Sequence, residues 1–292
     1  MISRKELVYV DKSVGTVPYP GDEYAYKVMR ELKDAYKLFE DKYDGKNYSI
    51  ILSNGQEFEF AILNKNLCHM LGISAKNITT YGEDTAYRVL GIDNPSTIST
   101  YELLGKIIER TDDVLENERK DNTYKMINFY KVMIKTAIFK KMTEFKDFNF
   151  GFINFDRDKY EKFTREGVRA NSTKYIFMPS EEVAIPYFFV GFVKNNGGET
   201  YVPETVIAPE DFYNYLGYQE LLLPLQILID DNKEFTKLEA TPSEKLKTLQ
   251  KYNELIQCYK TYSKINIYND YMATLMSLSR NERVEGNKLI LK

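Results

Sequence analysis

The chain has 292 residues, 43% apolar and 14% aromatic, so it can bury a sizeable core and is not an intrinsically disordered chain. A formal charge of −3 excludes a body coated in basic surface. Two cysteines and one histidine exclude a disulfide framework and a standard structural zinc site. The first residues, MISRKELVYVDKS, lack an apolar signal core, and no stretch approaches roughly 18 apolar residues, so the expectation is a cytoplasmic protein with no membrane partner.

Residues 22 to 43 follow a Pro- and Gly-punctuated start. Tyr24, Val28, Leu32, Ala35 and Phe39 recur there at helical spacing, which predicts an amphipathic helix. Tyr48 to Leu52 and Phe58 to Leu63 are aromatic and β-branched and read as two strands. Ser53-Asn54-Gly55-Gln56 between them suits a two-residue hairpin turn with positive φ at both central positions. Asn64 is placed to cap a helical turn over Lys65 to Leu71, and Gly72 to end it. Leu67, Met70 and Leu71 make its apolar stripe. His69, the only histidine, projects from the opposite face, roughly 200° from Leu67. A titratable imidazole presented beside a strand suits proton transfer; the alternative is a surface histidine without a role.

A short helix near Thr85 to Leu90 is followed by Ser99-Thr100-Tyr101-Glu102, a capping box heading a helix with Leu103, Leu104, Ile107, Ile108, Val114 and Leu115 on one face. Residues 117 to 123, NERKDNT, read as a polar connection, and Tyr124 to Met142 as a central helix apolar nearly all round. Phe148, Phe150 and Phe152 alternate in a two-residue period. Tyr175 to Met178, Pro186 to Val193 and Thr200 to Ile207 read as further strands, with Pro203 marking an edge or a bulge. Thr241-Pro242-Ser243-Glu244 opens a helix to about Tyr262, and a second follows from about Asn269 to Arg280. The order predicts an α+β fold: an antiparallel sheet with packed helices and a C-terminal helical extension. Its expected organisation is one α+β domain over residues 1 to 240, with a helical insertion at about 99 to 143, and a helical segment over 241 to 292.

No phosphate-binding glycine loop, zinc-protease motif, CxxC pair or nucleophile elbow occurs. Asp112-Asp113, Asp156 with Asp158, and Asp230-Asp231 read as caps and surface, so no metal and no cofactor is expected. The basic candidate is Tyr160 to Tyr175, YEKFTREGVRANSTKY. Lys162, Arg165, Arg169 and Lys174 are interleaved there with Tyr160, Phe163 and Tyr175, a pattern suited to single-stranded RNA. Its plainer account is an exposed amphipathic segment partly neutralised by Glu161 and Glu166. Tyr201 and Thr205 flank Pro203 and either line a cleft or serve as ordinary sheet residues.

Two stretches in this order resemble the phage-type branch of the Barnase–EndoU–colicin–RelE-like (BECR fold) nucleases, ribonucleases of phages and mobile elements. FEFAILNKNLCHMLGI is similar to that branch's apolar strand followed by Phe/Leu-x-His-Leu-x-Gly, with Met70 where leucine is usual. Tyr201-x-Pro203 with Thr205 resembles its Tyr-x-Pro-x-Ser/Thr segment. The resemblance covers about residues 20 to 235 and leaves out the C-terminal helices. It implies metal-independent RNA cleavage by 2′-OH attack, with His69 as general acid or base. Lys162, Arg165, Arg169 and Lys174 would then hold RNA phosphates, and Tyr201 and Thr205 would donate hydrogen bonds. The competing expectation is a non-catalytic phage or mobile-element protein, of the toxin or anti-defence kind, that binds and inhibits a host or rival protein. A third is a subunit whose helices build a homo-oligomer.

Overall fold

A computed structural model describes residues 4–10, 12–74, 86–94, 97–120, 125–164, 171–179, 187–196, 198–207, 219–231, 234–241, 244, 283–285 and 288–290. The chain divides into two compact units. One takes Met1–Asp44 and Ile62–Met142, the other Gly45–Ala61, Thr143–Ser180 and Ile185–Lys292. Helices and a mostly antiparallel sheet give the α+β class. Among the described residues no helix is long and apolar enough to cross a membrane.

The first unit is helical: α1 (Arg4–Leu7), α2 (Asp22–Lys42), α3 (Asn64–Met70), a π-helical turn (Ala86–Leu90), α4 (Thr100–Glu109), α5 (Thr111–Arg119) and α6 (Phe129–Met142). Helix α2 buries Ala25, Val28, Met29, Leu32, Ala35 and Phe39, the stripe its sequence spacing requires. Helix α6 is buried nearly all round and packs against α2. It begins at Phe129, not Tyr124. Asn128 accepts the Lys131 amide on Oδ1 at 3.1 Å, as an N-cap does, and so sets the start.

The Ser99–Glu102 capping box forms as the sequence predicts. The helix it heads breaks at Arg110, whose φ of −100° and ψ of 35° separate α4 from α5. The polar connection expected from Asn117 is helical at first, and Asn117 and Glu118 are buried. Glu118 turns inward because its Oε1 accepts the Met126 amide, satisfying a buried backbone donor.

The second unit holds one nine-stranded sheet. Its strands are β1 (Asn47–Leu52), β2 (Glu57–Ala61), β3 (Gly151–Asn154), β4 (Lys174–Pro179), β5 (Tyr187–Lys194), β6 (Tyr201–Ile207), β7 (Glu220–Leu222), β8 (Pro224–Asp230) and β9 (Phe235–Glu239). Helix α7 (Arg157–Thr164) follows β3. The order is β7-β3-β4-β5-β6-β2-β1-β8-β9, and every pairing is antiparallel except a single parallel bridge, Phe60 to Tyr201. The aromatic residues of one face pack edge-on and tilted, among them Phe58, Phe60, Phe152 and Phe192.

Two sequence expectations change here. The β1–β2 connection is a three-residue loop, with Gly55 N–H on the Leu52 carbonyl and only Gly55 at positive φ; Asn54 instead accepts the Gln56 amide on its side chain. Strands β7 to β9 were not expected from sequence, yet β8 pairs with β1 along its length. The bulge foreseen at Pro203 is present: Gly191 pairs with Thr205 and Phe192 with Pro203, leaving Glu204 as the extra residue.

A small hairpin, β10 (Arg283–Glu285) with β11 (Lys288–Ile290), closes the described chain. Thr241 and Glu244 exchange the capping-box bonds, while the two helices expected to follow, to about 262 and over 269–280, lie outside the described residues.

Candidate functional site

Strand pairing decides which side chains share a face. Asn154 lies opposite Lys174, Lys174 opposite Phe192, and Lys194 opposite Tyr201. Partners across a ladder point the same way, and so do residues two apart on a strand. Asn154, Lys174, Lys194 and Tyr201 therefore stand on one face, at the end where β3 and β5 finish and β4 and β6 begin. There they surround a cleft of about 410 Å³ with Gln56, Phe58 and Phe152 among its walls. A second hollow of about 460 Å³, lined by Phe155, Asp156, Lys159, Thr173 and Glu220, shares Asn154, Lys174 and Tyr201 with the first.

Asn154 joins the rim. Its Oδ1 accepts from Lys174 Nζ, and its Nδ2 donates to Gln56 Oε1 at 3.1 Å and Glu220 Oε2 at 2.6 Å. Lys174 is half-buried, and loss of solvent pushes its amine below the ordinary lysine range; the Glu220 carboxylate opposes that shift and the Lys194 charge adds to it. Tyr201 is half-buried, its ring centroid 5.1 Å from that of Phe58. The cleft thus presents an ammonium, a phenol and amide groups over an aromatic floor.

The cleft is not a basic furrow. Lys194 pairs with Glu199, Lys159 lies 3.6 Å from Asp156, and Lys174 faces Glu220. Glu57 also lines the cleft, though its carboxylate takes the Ser49 hydroxyl. Three lysines, Lys159, Lys174 and Lys194, stand among five carboxylates, Glu57, Glu59, Asp156, Glu199 and Glu220, so the lining is formally acidic. The residues are positioned to bind and orient a polar ligand, and Lys174 is the cation set deepest among them.

The structure brings Lys174 and Tyr201 together on this rim. Thr205 is different: it pairs with Gly191, three positions from Lys194, and the bulge at Glu204 turns it to the other face from Tyr201. Lys162 lies in α7, and Arg165 and Arg169 lie outside the described residues. Tyr160 and Tyr175, expected as stacking platforms, are buried and pack against Phe155, so they serve the core and not a ligand.

His69 belongs to the first unit. Its side chain is exposed, while Leu67, Cys68, Met70 and Leu71 beside it are buried, as the helical spacing predicts. Helix α3 starts at Asn64 after Leu63, so the expected asparagine cap is replaced by a first turn without a side-chain cap bond. Gly72 ends the turn at φ +84°.

Sequence reasoning missed Asn154, Gln56 and Glu220 as site residues: Gln56 reads only as part of a turn, the other two stand in no motif, and the strand register makes them neighbours. Among the described residues no group of three or more His, Cys, Asp or Glu is arranged to hold a metal ion. Comparison of the chain with protein-family models, curated proteins and solved structures yields no match.

Proposed function

We propose that the protein is a ribonuclease-like RNA-binding protein, with the cleft around Lys174 as its phosphate seat; the proton-transfer role proposed for His69, in the other unit, rests on the residue type. One observation carries this reading: the half-buried Lys174 ammonium, held by Asn154, stands beside the Tyr201 phenol where two hollows meet. A cation and a hydroxyl donor so placed would neutralise charge gathering on a phosphorane. An aromatic floor next to them suits an unstacked base. His69 is the side chain whose ordinary titration range suits a general acid or base near neutral pH.

The test is cleavage of mixed-sequence RNA in excess EDTA by the wild type, His69→Ala and Lys174→Met. The reading expects 2′,3′-cyclic phosphate ends from the wild type. It also expects a loss of roughly 10² to 10⁴ in rate for His69→Ala. Wild-type protein that leaves RNA intact and does not bind it overturns the proposal.

A second reading, a protein that docks on a host or rival protein and blocks it, is favoured by the excess of carboxylates over lysines in the lining. Paired lysines and carboxylates around Phe58 and Tyr201 suit a peptide of mixed charge better than a polyanion. Binding that is insensitive to salt would favour this reading, since phosphate contacts weaken steeply as salt rises.

A further inference from the structure

Lys135 lies in the middle of α6 and is only 5% exposed, with Val132, Ile134, Ile138 and Phe139 of the same helix buried around it. An ammonium removed from water destabilises a fold unless hydrogen bonds compensate it. Here Nζ donates to the backbone carbonyl of His69 at 3.1 Å. That carbonyl sits in the last turn of α3 and also accepts the Gly72 amide at 3.1 Å, so Lys135 adds a charge-assisted second bond to it.

A second contact holds the same turn on the same helix. A Cβ built on Gly72 would come within 3.2 Å of the Lys131 carbonyl carbon and oxygen and of Val132 Cα. A side chain here would crowd the α6 backbone and be strained at this positive φ. The turn carrying His69 is therefore fixed to α6 at residues 131–132 and again at 135. Its backbone is held from the inside while the imidazole is exposed on the outside.

We infer that Lys135 is a positioning residue for His69, its ammonium fixing the turn from which the imidazole projects. The inference rests on the reading of His69 as a proton-transfer group for its consequence in catalysis. Its geometry does not depend on that reading.

One histidine in the chain gives one imidazole C2–H resonance, so the effect can be read directly by proton NMR. Lys135→Met keeps side-chain length and removes the charge. The expected result is an unchanged near-UV circular dichroism spectrum, an imidazole resonance displaced by more than its line width, and its return toward the wild-type position in Lys135→Arg. Under the ribonuclease reading, kcat falls roughly ten- to a hundredfold with KM unchanged. A folded Met variant whose imidazole resonance has not moved overturns the inference.

If the Met variant does not fold, the wild type still decides. Reductive methylation with formaldehyde and borohydride should label Lys135 far more slowly than the half-exposed Lys106, and equal rates overturn the assignment. A wild type that cleaves no RNA removes the ribonuclease reading and leaves the resonance comparison intact.

Discussion

Around α6 the protein buries polar side chains and spends them on backbone, whereas at the rim of the sheet it half-exposes them and joins them to one another. Asn128 reaches the carbonyls of Tyr9 and Lys12 and the amide of Lys131; Glu118 takes the Met126 amide; Lys135 holds the His69 carbonyl. Asn154, Lys174, Gln56 and Glu220 instead bond side chain to side chain. Removing a buried group that bonds the backbone forfeits that hydrogen bond in a place water does not refill, so it serves stability. A half-exposed network can exchange its partners for a ligand's at small loss, so it is where binding can occur.

Substitutions can break that contrast. The largest loss is expected from Asn128→Ala, which removes the α6 cap and the side-chain bond to the Tyr9 carbonyl; roughly 2–3 kcal/mol should appear in urea unfolding. A value below about 0.5 kcal/mol would mean that the buried polar groups of this unit are not structural.

Glu118 gives the next effect, and its sign depends on pH. Burial raises its carboxyl from 4.5 to about 7. An acid whose folded pKa is raised favours folding fully below its unfolded value and loses that contribution as pH climbs through the folded value. Stability should therefore fall between about pH 4.5 and pH 7 on this group's account. Glu118→Gln keeps an acceptor for the Met126 amide without the charge, so its thermal midpoint at pH 8 should exceed the wild type's, with a flatter pH profile across that window. A midpoint at pH 8 that falls below the wild type's would show that the ionised form is the favoured one.

Lys174→Met should sharpen the contrast from the other side. Its amine is disfavoured as a cation by burial, so replacing it should leave the thermal midpoint unchanged or slightly higher, while binding of inorganic phosphate or short RNA, read by NMR shifts of the Asn154 amide, is lost. A large drop in midpoint would assign Lys174 to the fold and not to the site. The smallest effect belongs to exposed pairs such as Lys106 with Glu109, where Lys106→Ala should leave the midpoint within experimental error.

The helical stripes, the Ser99 capping box, the hairpin at Asn54-Gly55 and the outward face of His69 were legible because each depends on residues within a few positions of one another. The start of α6 was less so. The apolar run from Tyr124 continues the pattern, but Asn128 caps where the pattern alone shows no break. The candidate site was half legible: Lys174 and Tyr201 could be named from their own stretches, and Asn154 could not, because its role follows from lying opposite Lys174.

What the sequence determined by itself is local: helix faces, caps, strand periodicity, and an α+β composition set by side-chain spacing. What only the tertiary structure decided is pairing. The one-residue bulge at Glu204 places Tyr201 and Thr205 on opposite faces, and register across four strands gathers the rim of the cleft. Burial turns Tyr160 and Tyr175 from stacking platforms into core. The reason is physical: in a sheet the side-chain period is two, so a single inserted residue reassigns every position beyond it, and no local pattern records which strand lies alongside.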